Sequence, residues 1–453
     1  MNPAIFRPND IRGVVDKDFT ADDFILIGQG FARYLLDRGT KKAVIGRDNR
    51  IHSPTLHAAF SQGLLSSGID VVDLGEVTTP MVYFARKHLQ IDGGVCITAS
   101  HNPADWNGAK LCQGGGAIHE EEIYEVQNNI RLGRFASGKG KLTTYNIVPE
   151  YLENIRRLTN FPLIKANLPH RKIAVDSGNG LAGRFVPQLL KELGRGVVEL
   201  YSESDGTYPH HLPDPSLGQN MSDLWHVCRE QKIDLGLAYD GDVDRLNVID
   251  KEGTILWGDG LTIFFAREVL HRVPGTEILY DVMSSPGVPE DIGIHGGTAI
   301  MVPTGHAIIA HRLHRLQAPM AGEYSGHHYF QDGYLGFDDA IYATFRMLRI
   351  LSEKKTFVSR IMSDVNYYHS SGVTNIPVAE ERKMLVIAKL QEDLQDKYFV
   401  DKTSGLRLKV GACWATIHPS GTEAVLRLVV WGKNAAVVDP VREQLLAAIN
   451  KVL

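Results

Sequence analysis

Three segments of the sequence share one layout, and this repeat limits the possible folds more than any other feature. KKAVIGRDNR (41–50), RKIAVDSGNG (171–180) and TEILYDVMSS (276–285) each run from polar residues through a short apolar stretch to a polar end. A helical stretch and a second strand-like run follow each of them: GIDVVDLG, GRGVVELYS and GTAIMVPTG. Strands that alternate with helices in this way are typical of βαβ units. The sequence therefore predicts three tandem, doubly wound α/β domains.

The helix of the first copy carries the clearest local signals. Ser53 is predicted as its N-cap and Pro54 as its first residue. The apolar positions that follow have helical spacing: Leu56, Ala59, Phe60, Gly63 and Leu64.

The last part of the chain has a different order. From about residue 365 a strand (VTNIPVA) and a helix precede two or three strands around LRLKV, ACWATI and AVLRLVVW, and a final helix closes the chain. This order is typical of an α+β domain. We predict a smaller C-terminal domain and place the four domains at 1–145, 146–250, 251–362 and 363–453.

Composition and charge exclude several classes of protein. The chain has 453 residues, 43% of them hydrophobic and 22% charged, with a formal net charge of −5, so we expect a soluble protein with no nucleic-acid or membrane partner. Its four cysteines lack the CxxC spacing of a structural zinc site and form no disulfide framework. The N-terminal residues lack the apolar core of a signal peptide, and no run reaches the ~18 apolar residues of a membrane span. We therefore expect a cytoplasmic protein.

The first loop of chemical interest follows an apolar strand in GGVCITASHNPADWNG (93–108). It holds a hydroxyl at Ser100 and an imidazole at His101, and an ammonium follows at Lys110. A serine is a poor nucleophile unless a base or a cation assists it. His101 and Lys110 are candidates for that assistance, and a turn serine with a capping role is the alternative.

The second loop is DGDVDR (240–245), which places carboxylates at Asp240, Asp242 and Asp244 after an apolar run. Open α/β sheets bind ligands at the carboxyl ends of their strands, and Mg²⁺ prefers oxygen ligands. A calcium-binding EF-hand loop is excluded, because Arg245 and Lys251 stand where that loop needs Gly and Glu. The sequence predicts a Mg²⁺ site here, with a solvated acidic turn as the alternative.

Two further loops offer groups suited to a phosphorylated sugar. GEYSGHHYF (322–330) contains Glu323 and Ser325, a carboxylate and a hydroxyl that suit neighbouring sugar hydroxyls. HPSGTE (418–423) lies between two apolar runs, so we expect it on a hairpin. Its backbone and hydroxyls can form an anion-binding nest. Each loop alone is equally consistent with an ordinary polar turn.

Together the four loops resemble those of the α-D-phosphohexomutase family, which includes phosphoglucomutase and phosphomannomutase. FRPNDIRG, TASHNP with WNGAK, DGDVDR, GEYSGH and PSGTE occur in the family's order along the whole chain. The resemblance implies three α/β domains and a smaller C-terminal α+β domain around a central cleft, with one loop from each domain lining it. It also implies a mutase that interconverts hexose 6-phosphate and hexose 1-phosphate, with hexose 1,6-bisphosphate as intermediate and activator. We expect a monomer or a small homo-oligomer.

The resemblance also implies a role for each loop. Ser100 is expected to carry phosphoserine and to bind Mg²⁺ together with Asp240, Asp242 and Asp244. The catalytic residues are expected to be Ser100, His101, Lys110, Arg12, Arg245 and His306, with Lys110 or His101 as first candidate for moving the hydroxyl proton. The substrate-binding residues are expected to be Glu323, Ser325, His327, His418, Ser420, Gly421, Thr422 and Arg427.

Several functions remain open at this stage. GEYSGH resembles the form associated with glucose and mannose phosphates more than the acetamido-sugar form, so we favour a phosphomannomutase/phosphoglucomutase. The alternatives are a phosphoglucosamine or acetylglucosamine mutase, a phosphosugar-binding paralogue with weak or no activity, a phosphatase, and a protein-interaction scaffold.

Three positions depart from the family pattern. His418 stands where the family usually has Arg, Asn9 replaces an aromatic residue, and Met283 replaces a basic residue. These changes reduce the positive charge expected in the cleft. We predict that His418 contributes a charge only when protonated, so that binding weakens as the pH rises through ~6.5.

Overall fold

Four sheets follow one another along the chain in the computed structural model, which describes residues 1–421 and 423–453. Helices alternate with the strands of the first three sheets, and the fourth sheet lies in a smaller C-terminal region. The predicted fold class is therefore confirmed. The predicted boundaries between the domains remain a prediction.

The first domain is built on a mixed sheet. Its elements are β1 (Ile11–Val14), α1 (Ala21–Asp37), β2 (Lys42–Arg47), α2 (Ser53–Ser66), β3 (Asp70–Glu76), α3 (Thr79–His88), β4 (Gly93–Ile97), β5 (Trp106–Gln113), β6 (Gly116–Ala117), α4 (Glu121–Arg131) and β7 (Leu142–Thr144). The strand order is β1-β5-β4-β2-β3-β7, with β6 beside β5. Strands β4, β2, β3 and β7 are parallel, whereas β5 runs antiparallel to β4 and β1.

The second domain repeats the pattern on a five-stranded sheet. Its elements are α5 (Val148–Thr159), α6 (Phe161–Asn167), β8 (Lys172–Asp176), α7 (Val186–Glu192), β9 (Gly196–Leu200), α8 (Ser222–Glu230), β10 (Leu235–Tyr239), β11 (Leu246–Asp250) and β12 (Ile255–Leu256). The strand order is β12-β11-β10-β8-β9. Strand β10 ends directly before the three aspartates of DGDVDR.

The third domain has a four-stranded sheet in the order β14-β13-β15-β16. Its elements are α9 (Gly258–Arg272), β13 (Glu277–Asp281), α10 (Gly287–Ile294), β14 (Thr298–Val302), α11 (His306–Leu316), β15 (Met320–Gly322), β16 (His328–Phe330), α12 (Ala340–Glu353) and α13 (Val358–Ile361). The GEYSGH loop connects β15 to β16.

The fourth domain has an antiparallel sheet in the order β17-β22-β21-β20-β19, with β18 beside β22. Its elements are β17 (His369–Ser370), β18 (Thr374–Pro377), α14 (Lys383–Leu394), β19 (Phe399–Asp401), β20 (Leu406–Val410), β21 (Cys413–Pro419), β22 (Val425–Gly432) and α15 (Ala435–Val452). Across residues 1–421 and 423–453, no helix combines the length and the apolar character that crossing a membrane requires.

The cores show how the domains are joined. One apolar cluster runs from the first sheet through the second into the third, from Val44 to Met362. The fourth domain has a core of its own, built from β18, β20, β21, β22, α14 and α15. A small cluster that includes Val282, Met283 and Trp431 connects it to the third domain. The first three domains therefore share this cluster, although each of them also has a separate cluster of its own. The fourth domain packs against the third.

Helix α2 begins one residue away from the predicted position. Ser53 is its first residue rather than its N-cap, and its hydroxyl donates to Asp48 Oδ1 and accepts from Asn107 Nδ2 instead of accepting a helix amide. The predicted apolar positions are buried, and two glycines bring α2 close to α1. A Cβ added at Gly63 would lie 2.3 Å from Ile25 O, and one added at Gly28 would lie 2.5 Å from Phe60 O.

We expect Gly63→Ala to destabilise the protein by about 1–3 kcal/mol, because its methyl group would force the two helix backbones apart. Gly293→Ala is the matched control: it lies within α10 with nothing within 4 Å of an added Cβ. There the better helix propensity of Ala should stabilise by about 0.5–1 kcal/mol. Scanning calorimetry checks both changes, and equal Tm values for the two variants would contradict the close helix contact.

Candidate active site

Ser100 lies in the loop between β4 and β5. Its φ is +50°, in the left-handed region that residues other than glycine rarely adopt, and its amide donates to Thr98 Oγ1 over 2.9 Å. The Ser100 hydroxyl donates to Asp240 Oδ2 over 2.7 Å and lies 3.0 Å from His101 Nδ1. The loop therefore presents this hydroxyl to a carboxylate of the second domain, with an imidazole beside it.

The structure brings the three carboxylates of DGDVDR together. Asp240, Asp242 and Asp244 are fully buried, and one oxygen of each lies within 4.8 Å of the others. The amides of Asp244 and Arg245 donate to Asp240 Oδ1 over 3.0 and 3.1 Å, which curls the loop around this point. Because none of the three side chains reaches solvent, the alternative of a solvated acidic turn is wrong.

Lys110, on β5, neutralises part of this negative charge. Its ammonium donates to Asp242 Oδ2 over 2.8 Å and also to Asp244 Oδ2. Burial would lower the pKa of Lys110, but the two carboxylates raise it well above its usual value. Burial would raise the pKa of Asp242, yet Lys110 holds it below its usual range. For Asp240, burial and the neighbouring carboxylates raise the pKa well above its usual value.

Two oxygens of the aspartate triad are placed to ligate a metal. Asp242 Oδ1 and Asp244 Oδ1 are buried and accept no hydrogen bond from the described residues. A buried carboxylate oxygen without a donor is costly, and Mg²⁺ prefers oxygen ligands that it can share with a phosphate. The residues present therefore fit a Mg²⁺ ion held by the triad beside Ser100.

Two buried imidazoles in the cleft are neutral. Burial lowers the pKa of His101 well below its usual value, and Arg245 and Arg12 lower it further. Burial and the charge of Lys110 do the same to His306. The Nε2 atom of His306 is buried and has no hydrogen-bond partner among the described residues. A neutral imidazole can accept a proton, whereas Lys110 as an ammonium can only donate one.

The two predicted arginines connect loops of different domains. Arg12, on β1, donates to Asn102 Oδ1 over 2.9 Å and pairs with Asp10, so it faces the serine loop. The Nε atom of Arg245 donates to His327 Nε2 over 3.0 Å. Arg245 therefore links DGDVDR to the GEYSGH loop of the third domain.

Glu323 lies in that loop with hydrogen-bonding groups around it. Its Oε1 accepts from the Tyr329 hydroxyl over 2.5 Å, and its Oε2 accepts from Ser325 Oγ over 3.4 Å. Burial raises the pKa of Glu323 to about 6; Asp281 adds to this effect and His327 opposes it. Ionised Glu323 is an acceptor for sugar hydroxyls, and Ser325 can donate or accept.

His327 has an acidic partner that the sequence analysis missed. Its Nδ1 lies 2.8 Å from Asp338 Oδ2 and 3.6 Å from Asp244 Oδ1. Burial would lower the pKa of His327, but both carboxylates raise it. The paired aspartates in GFDD (336–339) were the available signal. His327, predicted to bind substrate, is thus also tied to the metal loop.

HPSGTE connects β21 to β22 as the predicted hairpin. Thr422, a predicted phosphate ligand, lies outside the described residues. Lys383, which the sequence analysis missed, donates to the carbonyl oxygens of Ser420 and Glu423 over 2.5 and 3.2 Å. Arg427 donates to Glu423 over 2.8 Å. A buried ammonium therefore supports the backbone of this loop.

The prediction that His418 titrates near 6.5 is wrong. The side chain is buried, and its Nδ1 lies 3.2 Å from Ser404 Oγ. Burial lowers the pKa of His418 to about 4, and Arg427 contributes to the shift. At neutral pH this imidazole can offer a hydrogen bond but no charge.

The other two departures from the family pattern lie in different surroundings. A Cβ added at Gly305 would lie 2.5 Å from Asn9 Oδ1, and one added at Gly421 would lie 2.8 Å from Asn9 Nδ2. The Asn9 amide therefore stands where the first, third and fourth domains meet. Met283 instead packs with Trp431 in the apolar contact between the third and fourth domains.

Comparison with known proteins agrees with this arrangement. Models of phosphoglucomutase/phosphomannomutase α/β/α domains I, II and III match residues 3–136, 149–253 and 257–368, and the model of the C-terminal domain matches residues 373–448. A phosphomannomutase/phosphoglucomutase of Pseudomonas aeruginosa is 37% identical over 426 residues, which cover 94% of this chain and 91% of that protein. A phosphoglucomutase of Neisseria meningitidis is 36% identical over 451 residues, which cover 98% and 96%.

A solved structure extends the likeness to the whole fold. A phosphoglucomutase/phosphomannomutase family protein from Burkholderia thailandensis superimposes with a TM-score of 0.88 at 32% identity, covering 100% of this chain and 98% of that one. Sequence, domain order and fold therefore agree along the length of the chain. With all four domains matched, the chain belongs to the phosphoglucomutase/phosphomannomutase family.

Proposed function

We propose that the chain moves a phosphoryl group between O6 and O1 of a hexose, through phosphoserine at Ser100 and a hexose 1,6-bisphosphate. The observation that carries the proposal is the 2.7 Å contact of Ser100 Oγ with Asp240 Oδ2, beside carboxylate oxygens that have no donor among the described residues. The names of the relatives support glucose and mannose phosphates as the substrates.

In the first half of the reaction, the bond between phosphorus and Ser100 Oγ breaks while a bond forms to the free hydroxyl oxygen of the hexose. The hydroxyl proton passes to a neutral imidazole: His101, 3.0 Å from Ser100 Oγ, is our first candidate and His306 the second. In the second half, after the bisphosphate has turned over in the site, the bond between its other phosphorus and the sugar oxygen breaks while a bond forms to Ser100 Oγ. The imidazole returns the proton to the sugar oxygen that is released. Phosphoryl transfer depends on positioning and on neutralising charge, and bound Mg²⁺ would supply most of that neutralisation.

The remaining residues keep these groups in place. Lys110 holds Asp242 and Asp244, while Arg12 and Arg245 add positive charge beside the serine loop. Glu323 and Ser325 are proposed to bind the sugar hydroxyls in both orientations. The distal phosphate is proposed to be held by His418, Ser420, Gly421, Thr422 and Arg427.

A coupled assay with Mg²⁺ and a trace of glucose 1,6-bisphosphate tests the function. Glucose, mannose, glucosamine and N-acetylglucosamine 1-phosphates serve as substrates. We expect turnover of the first two, whereas turnover of only the amino sugars would shift the proposal to the alternative mutases. No turnover of any of the four would overturn it.

We expect Ser100→Ala to abolish the mutase activity, because the variant cannot carry the phosphoryl group. Intact mass after incubation with the bisphosphate should show one added phosphoryl group in the parent protein and none in the variant. Ser61→Ala is the matched control, since Ser61 is a buried serine of the same domain whose hydroxyl has no hydrogen-bond partner among the described residues. Loss of the added mass in both variants would count against Ser100.

We expect chelation of Mg²⁺ to abolish the activity and Asp242→Asn to raise the Mg²⁺ concentration needed for half-maximal rate by at least about tenfold. The amide removes the charge of one ligand while keeping its size. Asp250→Asn is the control, because Asp250 ends the neighbouring strand β11 and accepts the backbone amides of a turn. A Mg²⁺ requirement that is the same in both variants would contradict the metal site.

We expect kcat/KM to fall as the pH drops through about 6, because Glu323 becomes protonated there and can no longer accept two hydroxyl hydrogen bonds. Phosphate groups also titrate near 6, so the test compares the pH profile with that of Glu323→Gln. The amide does not titrate, and the part of the acid limb that belongs to Glu323 should disappear. Superimposable acid limbs would show that the carboxylate state does not control turnover.

A further inference from the structure

Arg50 holds the backbone of the Ser100 loop. Its Nη2 donates to the carbonyl oxygens of Ser100 and Asn102 over 2.9 and 2.6 Å. Its Nη1 donates to those of Pro103 and Trp106 over 2.5 and 3.1 Å. The side chain is fully buried. One guanidinium group therefore binds three backbone carbonyls of the loop that carries the reactive hydroxyl and the carbonyl of the first residue of β5.

The position of the guanidinium group is itself fixed from several sides. Its Nε lies 3.2 Å from Asp48 Oδ2, and Asp48 Oδ1 accepts from the Arg50 amide over 3.0 Å and from the Ser53 hydroxyl over 2.5 Å. The ring of Tyr208, in the second domain, lies 5.0 Å from the guanidinium carbon. Asp48, Ser53 and Tyr208 thus hold the side chain of Arg50 in one position, in the loop that follows β2.

The loop needs this support, because the backbone of Ser100 is strained and crowded. A residue other than glycine at a φ of +50° persists only when its surroundings impose that conformation. The Ser100 carbonyl also faces the second domain closely: a Cβ added at Gly241 would lie 2.6 Å from it. The bond from Arg50 to this carbonyl therefore influences where Ser100 Oγ stands relative to Asp240.

We infer that Arg50 is a positioning residue for phosphoryl transfer: it holds the Ser100 loop in the conformation that points the hydroxyl at the aspartate triad. The inference rests on the proposed function of Ser100. It requires that Arg50 affect the chemical step rather than the binding of the sugar, because the proposed sugar and distal phosphate ligands lie in the third and fourth domains. A misplacement of about 1 Å in a reacting group can cost 10²-fold in rate.

The test is Arg50→Lys, which keeps the positive charge but replaces a planar fork with a single ammonium. We expect kcat to fall about 10²-fold with KM within about threefold of the parent value. Phosphorylation of Ser100 by glucose 1,6-bisphosphate, followed by intact mass, should slow by the same factor.

Arg86→Lys is the matched control for loss of a buried arginine. Arg86 is buried in the same domain and also bonds backbone carbonyls, those of Asp92 and Gly114, which lie outside the Ser100 loop. Arg86→Lys should lower Tm by an amount similar to that of Arg50→Lys and leave kcat unchanged. A kcat of Arg50→Lys equal to that of Arg86→Lys would overturn the inference.

Two further variants keep the result decisive. If Arg50→Lys gives no cooperative unfolding transition, Asp48→Asn is tested instead, because it weakens the contacts that hold the guanidinium group while Arg50 remains. A fall in kcat of about tenfold or more in Asp48→Asn supports the inference, and an unchanged kcat overturns it. Ser100→Ala separates the two proposals. If that variant stays active, the proposed function fails; if it is inactive while Arg50→Lys and Asp48→Asn both keep full kcat, only the inference about Arg50 fails.

Discussion

The burial of three carboxylates on one short loop is the constraint on which the rest of this structure depends. Carboxylates held this close in a low-dielectric interior repel one another strongly unless cations lie beside them. Part of the compensation comes from Lys110, which reaches in from β5 of the first domain. Arg245 of the loop itself supplies a second positive charge, and its bond to His327 ties the loop to the third domain. The buried charge of the second domain thus determines how the first and third domains contact its aspartate loop. The apolar cluster that the three domains share stabilises the same arrangement.

The same charges explain why the proposed phosphoserine would require a divalent cation in this site. Phosphorylation of Ser100 would add about 1.5 to 2 negative charges at the hydroxyl that now bonds Asp240. Lys110 and Arg245 contribute one positive charge each and already face the three aspartates. A Mg²⁺ ion held by Asp242 and Asp244 would restore the balance and would supply positive charge during transfer.

The sequence predicted the parts of the site that depend on local pattern. Alternating strands and helices gave the fold class, and the spacing of DGDVDR was enough to predict that its carboxylates converge after a strand. Partners that join distant residues could not be read in this way: Arg50 meets its carbonyls 50 to 56 positions along the chain, and Lys383 reaches the HPSGTE loop 37 positions away. The titration of His418 was mispredicted because its pKa depends on burial, which only the packed fourth domain creates.

The fourth domain is joined to the others differently, and this matters for access to the buried serine. Ser100 is 2% exposed, so a hexose phosphate can reach it only if elements around the cleft separate. Parting the first three domains would open their common core, whereas the fourth keeps its own core when it moves. Its described contacts with the rest include the Met283 cluster, bonds from Arg407 to the carbonyls of Val282 and Ser284, and the Arg7–Glu380 ion pair. The Arg7–Glu380 pair is partly exposed and is therefore worth little, and the Met283 cluster is much smaller than the cluster that the first three domains share, so separating the fourth domain exposes less apolar surface. Opening at the fourth domain is therefore the least costly route to the serine.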